Sequence, residues 1–265
     1  MIFYQWLFFY PYLYRKEDNR LSMRNNPIPH LKKITGWKEH PIEHKEEEML
    51  LLKENEGYPI LLSPQYFLQE IPFATKDMYV RKTVHDKLFM ASSKLPKGYQ
   101  LVIWDTWRPV EVQQSLFDHY YRIFQSQFPF MSHKELIDYT QTYVSLPTDN
   151  EDSPPPHSTG GAVDLSICDS KGNLLPMGTS FDEMSPLSAT RYFEDKLNQE
   201  GTLSNSEQEA LLNRRLLFDV MCSSGFTNYH EEWWHFDFGN QFWGTIKGKN
   251  AQYRTVLWNN LRTFT

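Results

Sequence analysis

The sequence predicts one domain that combines β-strands with α-helices, and three stretches carry that expectation. In GYQLVIWDTW (98–107), Leu101 and Ile103 alternate with Val102 and Trp104, the two-residue period of a strand with two apolar faces. In HSTGGAVDLSI (157–167), Val163, Leu165 and Ile167 fall on one face of a strand and Asp164 on the other. After Pro109, which suits the first turn of a helix, Val112, Leu116, Tyr120 and Phe124 recur every four residues.

A chain of 265 residues, 40% hydrophobic and 15% aromatic, is long enough to bury a full core. Its formal charge of −6, from 27 basic and 33 acidic residues with no basic tail or stripe, gives no electrostatic support to a nucleic-acid partner. Cys168 and Cys222 are too few for a disulfide framework and lack the paired spacing of a zinc ribbon, so both read as ordinary thiols. No internal repeat or low-complexity tract is present.

Residues 1–30 read as an aromatic leader ahead of a domain that spans 31–265. The apolar run MIFYQWLFFYPYLY is shorter than the roughly twenty residues a bilayer requires, and Gln5 and Pro11 interrupt it. It lacks the basic start and small-residue cleavage site of a signal peptide. The leader is therefore expected to pack on the domain, without stable membrane insertion, in a cytoplasmic protein. Were it to anchor, Arg15 and Lys16 would favour a cytoplasmic domain. Membrane-associated and periplasmic placements are the alternatives.

Arg108 sits where the strand at 98–107 hands over to the helix after Pro109. TDNEDSPPP (148–156) is an extended surface loop that leads directly into His157. DSKGN (169–173) turns the chain after the HSTGGAVDLSI strand. A helix is predicted from near Ser206, with Ser206 and Glu209 as a capping box, Leu212, Leu216 and Val220 on its apolar face, and Gly225 as its left-handed stop. The alternation in FTNYHEEWWHFDFGN (226–240) favours a strand with Trp234, Phe236 and Phe238 on one face and His235 and Asp237 on the other.

Catalytic zinc commonly takes three protein ligands from His and Asp or Glu and leaves one tetrahedral position open. His157, Asp164 and His235 supply that number, and Gly160 and Gly161 let the backbone turn between the first two. Taken singly, each residue has an ordinary reading: a hydrogen-bonded histidine, or an aspartate paired with an arginine. The combination is more specific, because H-x-x-G-x-A-x-D on one strand is followed by E-x-x-H beside another. Glu232 and His235 would face opposite ways in an ideal strand, so Glu232 is expected at a bent strand entrance.

The motifs P-H-S-T-G-G-A-V-D-L, M-G-T-S-F-D-E-M, S-G-F-x-x-Y and E-W-W-H, with W-D-T-W-R-P-V-E-V-Q upstream, resemble those of the D-alanyl-D-alanine dipeptidases, the VanX-type enzymes. These are relatives of the zinc D-alanyl-D-alanine carboxypeptidases. The resemblance runs from about Phe73 to Gly239. It implies a single α+β domain with a central antiparallel sheet flanked by helices and a zinc site on the sheet. It also implies that His157, Asp164 and His235 bind one Zn2+, that Glu232 is the catalytic base, and that Arg108 stabilises the transition state. By the same resemblance Asp182 holds the free ammonium of a small dipeptide substrate.

That chemistry is coherent. Zinc acidifies its water and polarises the scissile carbonyl, and Glu232 carries the proton from water to the leaving amine. The guanidinium of Arg108 faces the developing oxyanion. A buried carboxylate at Asp182 needs a cation, which an internal peptide does not offer. Two positions depart from the family pattern: Pro155 replaces a serine, and Ser188-Ala189 replaces Ser-His. Neither alters a proposed ligand or the base, but both bear on fine substrate preference. Two alternatives share the ligand set. One is a peptidoglycan carboxypeptidase or endopeptidase. The other is a non-catalytic zinc module of the kind that hedgehog signalling domains resemble, although a purely structural site requires neither Glu232 nor Arg108.

Overall fold

Alternating apolar residues place the sheet, and the computed structural model describes it across residues 23–54, 57–148 and 150–261. In chain order, β1 (Met49–Leu51) and β2 (Ile60–Leu62) precede a one-turn helix, α1 (Gln65–Leu68), then β3 (Tyr79–Arg81) and α2 (Lys82–Lys94). β4 (Tyr99–Asp105), α3 (Val110–Gln127), α4 (His133–Thr140) and β5 (Ala162–Asp169) follow. The chain continues through α5 (Tyr192–Glu200), α6 (Asn205–Cys222), β6 (Thr227–Asn228), β7 (His235–Asp237), α7 (Gln241–Lys247) and α8 (Trp258–Leu261). The leader's residues 1–22 lie outside the described residues. By Ile28 the chain is seated on the body, with that side chain buried and its backbone N–H donated to Glu194 Oε1 at 2.8 Å. Among the described residues no helix is long and apolar enough to cross a membrane.

The main sheet has five strands in the order β2-β4-β5-β7-β6, and β1 pairs with β3 in a separate ribbon. The expected antiparallel sheet is mixed, because β2 runs parallel to β4. The connection between them explains this: residues 63–98 carry α2 and cross over, as a parallel pair demands and a hairpin cannot. The other pairings in this sheet are antiparallel. Leu101 faces Ile167 and Ile103 faces Leu165, so these four side chains share one face. They form a core with Val84, Leu88 and Ala91 of α2 and with Leu216, Leu217, Val220 and Met221 of α6. Eliminating water from that face holds the sheet rigid.

Two local readings are corrected. Ser204 and Glu207, not Ser206 and Glu209, form the capping box of α6. Both pairs fit the S-x-x-E pattern, and the earlier one satisfies the first orphan N–H groups while leaving the same face buried. The stretch 226–240 is not one strand but a hairpin, in which β6 and β7 flank a turn at 229–234 that carries Glu232. Strand alternation holds only over His235–Asp237.

Candidate metal centre and active site

Three strands present one row of polar side chains. Asp164 on β5 lies directly opposite His235 on β7 and, across β4, opposite Asp105. Regular alternation would turn Asp105 toward the core. A bulge between Ile103 and Asp105 inserts one residue and re-aims it. His157 joins the row from a single 3-10 turn, Pro156–Thr159. That turn reaches β5 through Gly160, at φ 71°, and Gly161, where a Cβ would stand 2.5 Å from the Phe238 carbonyl oxygen.

His157, Asp164 and His235 are buried, and their donor atoms converge within 4.8 Å. His157 Nε2 is 3.2 Å from His235 Nδ1 and 3.3 Å from Asp164 Oδ2, while His235 Nδ1 is 3.0 Å from Asp164 Oδ1. Ligands about 2.0 Å from one ion in tetrahedral positions stand roughly 3.3 Å apart, so this donor set fits a zinc ion. The far nitrogen of each ring is already engaged. His157 Nδ1 donates to the Thr106 carbonyl at 2.7 Å, and His235 Nε2 donates to Asp237 Oδ1 at 3.0 Å. Each ring thus turns its other nitrogen, a lone pair in the neutral form, toward the centre. Asp237 is itself oriented by Asn240 Nδ2 at 2.5 Å.

The electrostatics favour a cation at this point. Burial acts to lower the pKa of His235, but the charge of Asp237 and hydrogen bonds to Asp164 and Asp237 outweigh it and raise it well above the ordinary histidine value. Burial likewise opposes ionisation of Asp164, yet His157 and His235 hold its carboxyl well below the ordinary range. Carboxylates that draw a proton to His235 also draw a divalent ion.

Glu232 Oε2 stands 3.8 Å from His235 Nδ1 at the edge of this cluster. Burial pushes its carboxyl up to about 8, with His235 opposing and Asp164 reinforcing. Arg108 Nη2 lies 3.5 Å from Asp164 Oδ2 and 2.6 Å from Asp105 Oδ2. Burial acts to depress this guanidinium, but Asp105 and its neighbours outweigh that and keep it charged. Tyr66, from α1, bridges onward: its hydroxyl accepts from Arg108 Nη2 at 3.2 Å and donates to Asp182 Oδ2 at 2.8 Å. Asp182 has φ 57°, an uncommon conformation for a non-glycine residue. Burial raises its carboxyl to about 7, reinforced by the charge of Asp164 and opposed by Arg108.

All six residues singled out in the sequence line one cleft of about 510 Å³. Pro155, Ser188 and Ala189, the departures from the family pattern, line it too. Sequence reasoning missed Tyr66, Asp105, Gln113 and Asp237. Asp237 was visible as the other outward residue of β7, but only the hydrogen bond to His235 gives it a task.

Residues 74–256 match the family model for D-ala-D-ala dipeptidase, peptidase family M15. Among curated proteins, a D-alanyl-D-alanine dipeptidase of Synechocystis is 31% identical over 166 residues, covering 60% of this chain and 67% of that protein. One from Escherichia coli is 30% identical, covering 53% and 55%, and one from Enterococcus faecalis is 32% identical, covering 52% and 62%. The last two alignments thus span less than two thirds of those relatives. A solved vancomycin-resistance D,D-pentapeptidase, VanY, in complex with Zn(II) is 13% identical, covering 87% of this chain and 97% of that one. Its TM-score of 0.32 is too low to bear on the fold. With the family model matching well over half of its length, this chain belongs to the D-ala-D-ala dipeptidase family of peptidases.

Proposed function

We propose that the protein is a zinc-dependent dipeptidase that hydrolyses D-alanyl-D-alanine or a similar free dipeptide to amino acids. One juxtaposition carries the reading: the His157–Asp164–His235 donor set has a carboxyl group, Glu232, on one side and a half-buried guanidinium, Arg108, on the other. His157, Asp164 and His235 would hold one zinc ion. Bound there, zinc supplies Lewis acidity and lowers the pKa of water at its open position. Glu232 then accepts a proton from the attacking water and returns it to the leaving nitrogen. Arg108, fixed by Asp105, meets the charge that grows on the carbonyl oxygen, a kind of contribution whose removal costs roughly 3–4 kcal/mol of barrier. Asp182, held by Tyr66 across the cleft, pairs with the ammonium of the substrate's first residue. A carboxypeptidase or endopeptidase acting on longer cell-wall peptides is the second reading, favoured only by the size of the cleft.

Metal content of purified variants tests the assignment of roles. Asp164→Ala should lose most of its zinc, whereas Glu232→Ala should keep zinc and lose activity. Equal zinc loss in both would contradict the division between ligand and base.

A further inference from the structure

The guanidinium of Arg108 carries five N–H groups, and three of them donate hydrogen bonds to protein groups. Nε donates to Asp105 Oδ2 at 2.8 Å, and Nη2 lies against Asp105 Oδ2 and the Tyr66 hydroxyl. Nη1 donates to the side-chain oxygen of Gln113 at 2.9 Å. Gln113 is buried in the first turns of α3, and its amide cannot flip without a penalty, because Nε2 donates to the Ser145 carbonyl at 2.8 Å. Its orientation is therefore set by two bonds of opposite polarity, one to the arginine and one to the cleft-lining segment 141–145.

We propose that Gln113 is the positioning residue that aims Arg108 in the dipeptidase reaction, an inference that rests on the function proposed above. Asp105 restrains the Nε–Nη2 edge of the guanidinium. Without Gln113, the Nη1 end lacks an acceptor from the protein among the described residues. With Gln113 in place, one Nη1 hydrogen is occupied and the plane of the group is fixed, which leaves the other Nη1 N–H free for a group in the cleft that Arg108 lines. A neutral acceptor suits this task. A carboxylate there would add a third anion to Asp105 and Asp164 and weaken the field that Arg108 offers an oxyanion. Through Ser145 the same amide ties the aim of Arg108 to the wall of the cleft.

The test uses the zinc-loaded protein and Gln113→Met, which keeps the volume and removes both polar bonds. We expect kcat on D-Ala-D-Ala to fall about ten-fold, the worth of one hydrogen bond to a charged group, with KM changed less than about two-fold. Zinc content should be unchanged. A dipeptide phosphinate, which mimics the tetrahedral oxyanion, should bind about ten-fold more weakly by calorimetry, and the product D-alanine should bind as before. In an Arg108→Lys background, which has no Nη1, the Gln113→Met change should add no further loss of kcat, whereas a merely structural residue would multiply it. Unchanged kcat and phosphinate affinity in Gln113→Met, or a full multiplicative loss in the double variant, would overturn the role. Absence of any turnover by the wild-type protein would instead overturn the dipeptidase reading and this role with it.

Discussion

In the proposed reaction, Asp182 is the residue on which substrate choice would turn. Burial lifts its carboxyl to about 7, so in the free protein it is neutral below that pH and charged above it. Only the charged form attracts an ammonium. KM should therefore fall as pH rises through about 7, and rise again above about 8, where the substrate's own amino group loses its proton. In Asp182→Asn, KM should be raised roughly ten- to hundred-fold and should lose the limb near pH 7. Steady-state kinetics on the two proteins between about pH 5.5 and about pH 9 decide this. A variant with the wild-type profile would show that another group binds the ammonium.

Two buried arginines hold the loops that bring these residues together, one for each side of the cleft. Arg81, at the end of β3, donates to the carbonyls of Thr159, Glu47 and Arg254, and so steadies the turn that presents His157. Arg214, fully buried on α6, donates to the carbonyls of Met177, Leu187 and Ala189, which bracket the segment that carries Asp182. Its guanidinium also stacks 4.6 Å from the centre of the Phe193 ring. Replacement by leucine would leave three carbonyls without their donor, that of Met177 in a buried position. Arg214→Leu should cost about 3 kcal/mol or more in urea denaturation and should expose the chain between 177 and 189 to proteolysis. Stability within about 0.5 kcal/mol of wild type would show that water replaces the guanidinium at no cost.

Over the whole molecule, the parts of the site that follow from periodicity were legible in the sequence. Asp164 and His235 are outward residues of strands whose neighbouring inward residues, Val163, Leu165, Ile167 and Phe236, are apolar, so their face could be read directly. Asp105 could not, because the bulge after Ile103 reverses the face that alternation assigns it. Tyr66 sits in a single turn of helix, and β2 has only three residues, too few in either case to express a period. The parallel placement of β2 was hidden for the same reason, and with it the mixed character of the sheet. A zinc ion held by His157, Asp164 and His235, as proposed, would tie together segments far apart in the chain, so it should also stabilise the fold. Zinc at about a thousand times its Kd should contribute roughly 4 kcal/mol and raise Tm by about 10 °C, and Asp164→Ala should not respond. An unchanged melting curve in the wild-type protein would mean that zinc does not bind the folded state.

Release of D-alanine from D-Ala-D-Ala by zinc-loaded protein tests the account most directly, with N-acetyl-D-Ala-D-Ala and the Glu232→Ala variant measured alongside. The account predicts turnover of the free dipeptide only, and a loss of at least about a hundred-fold in the variant. Equal cleavage of the acetylated dipeptide, or turnover that survives in Glu232→Ala, would contradict it.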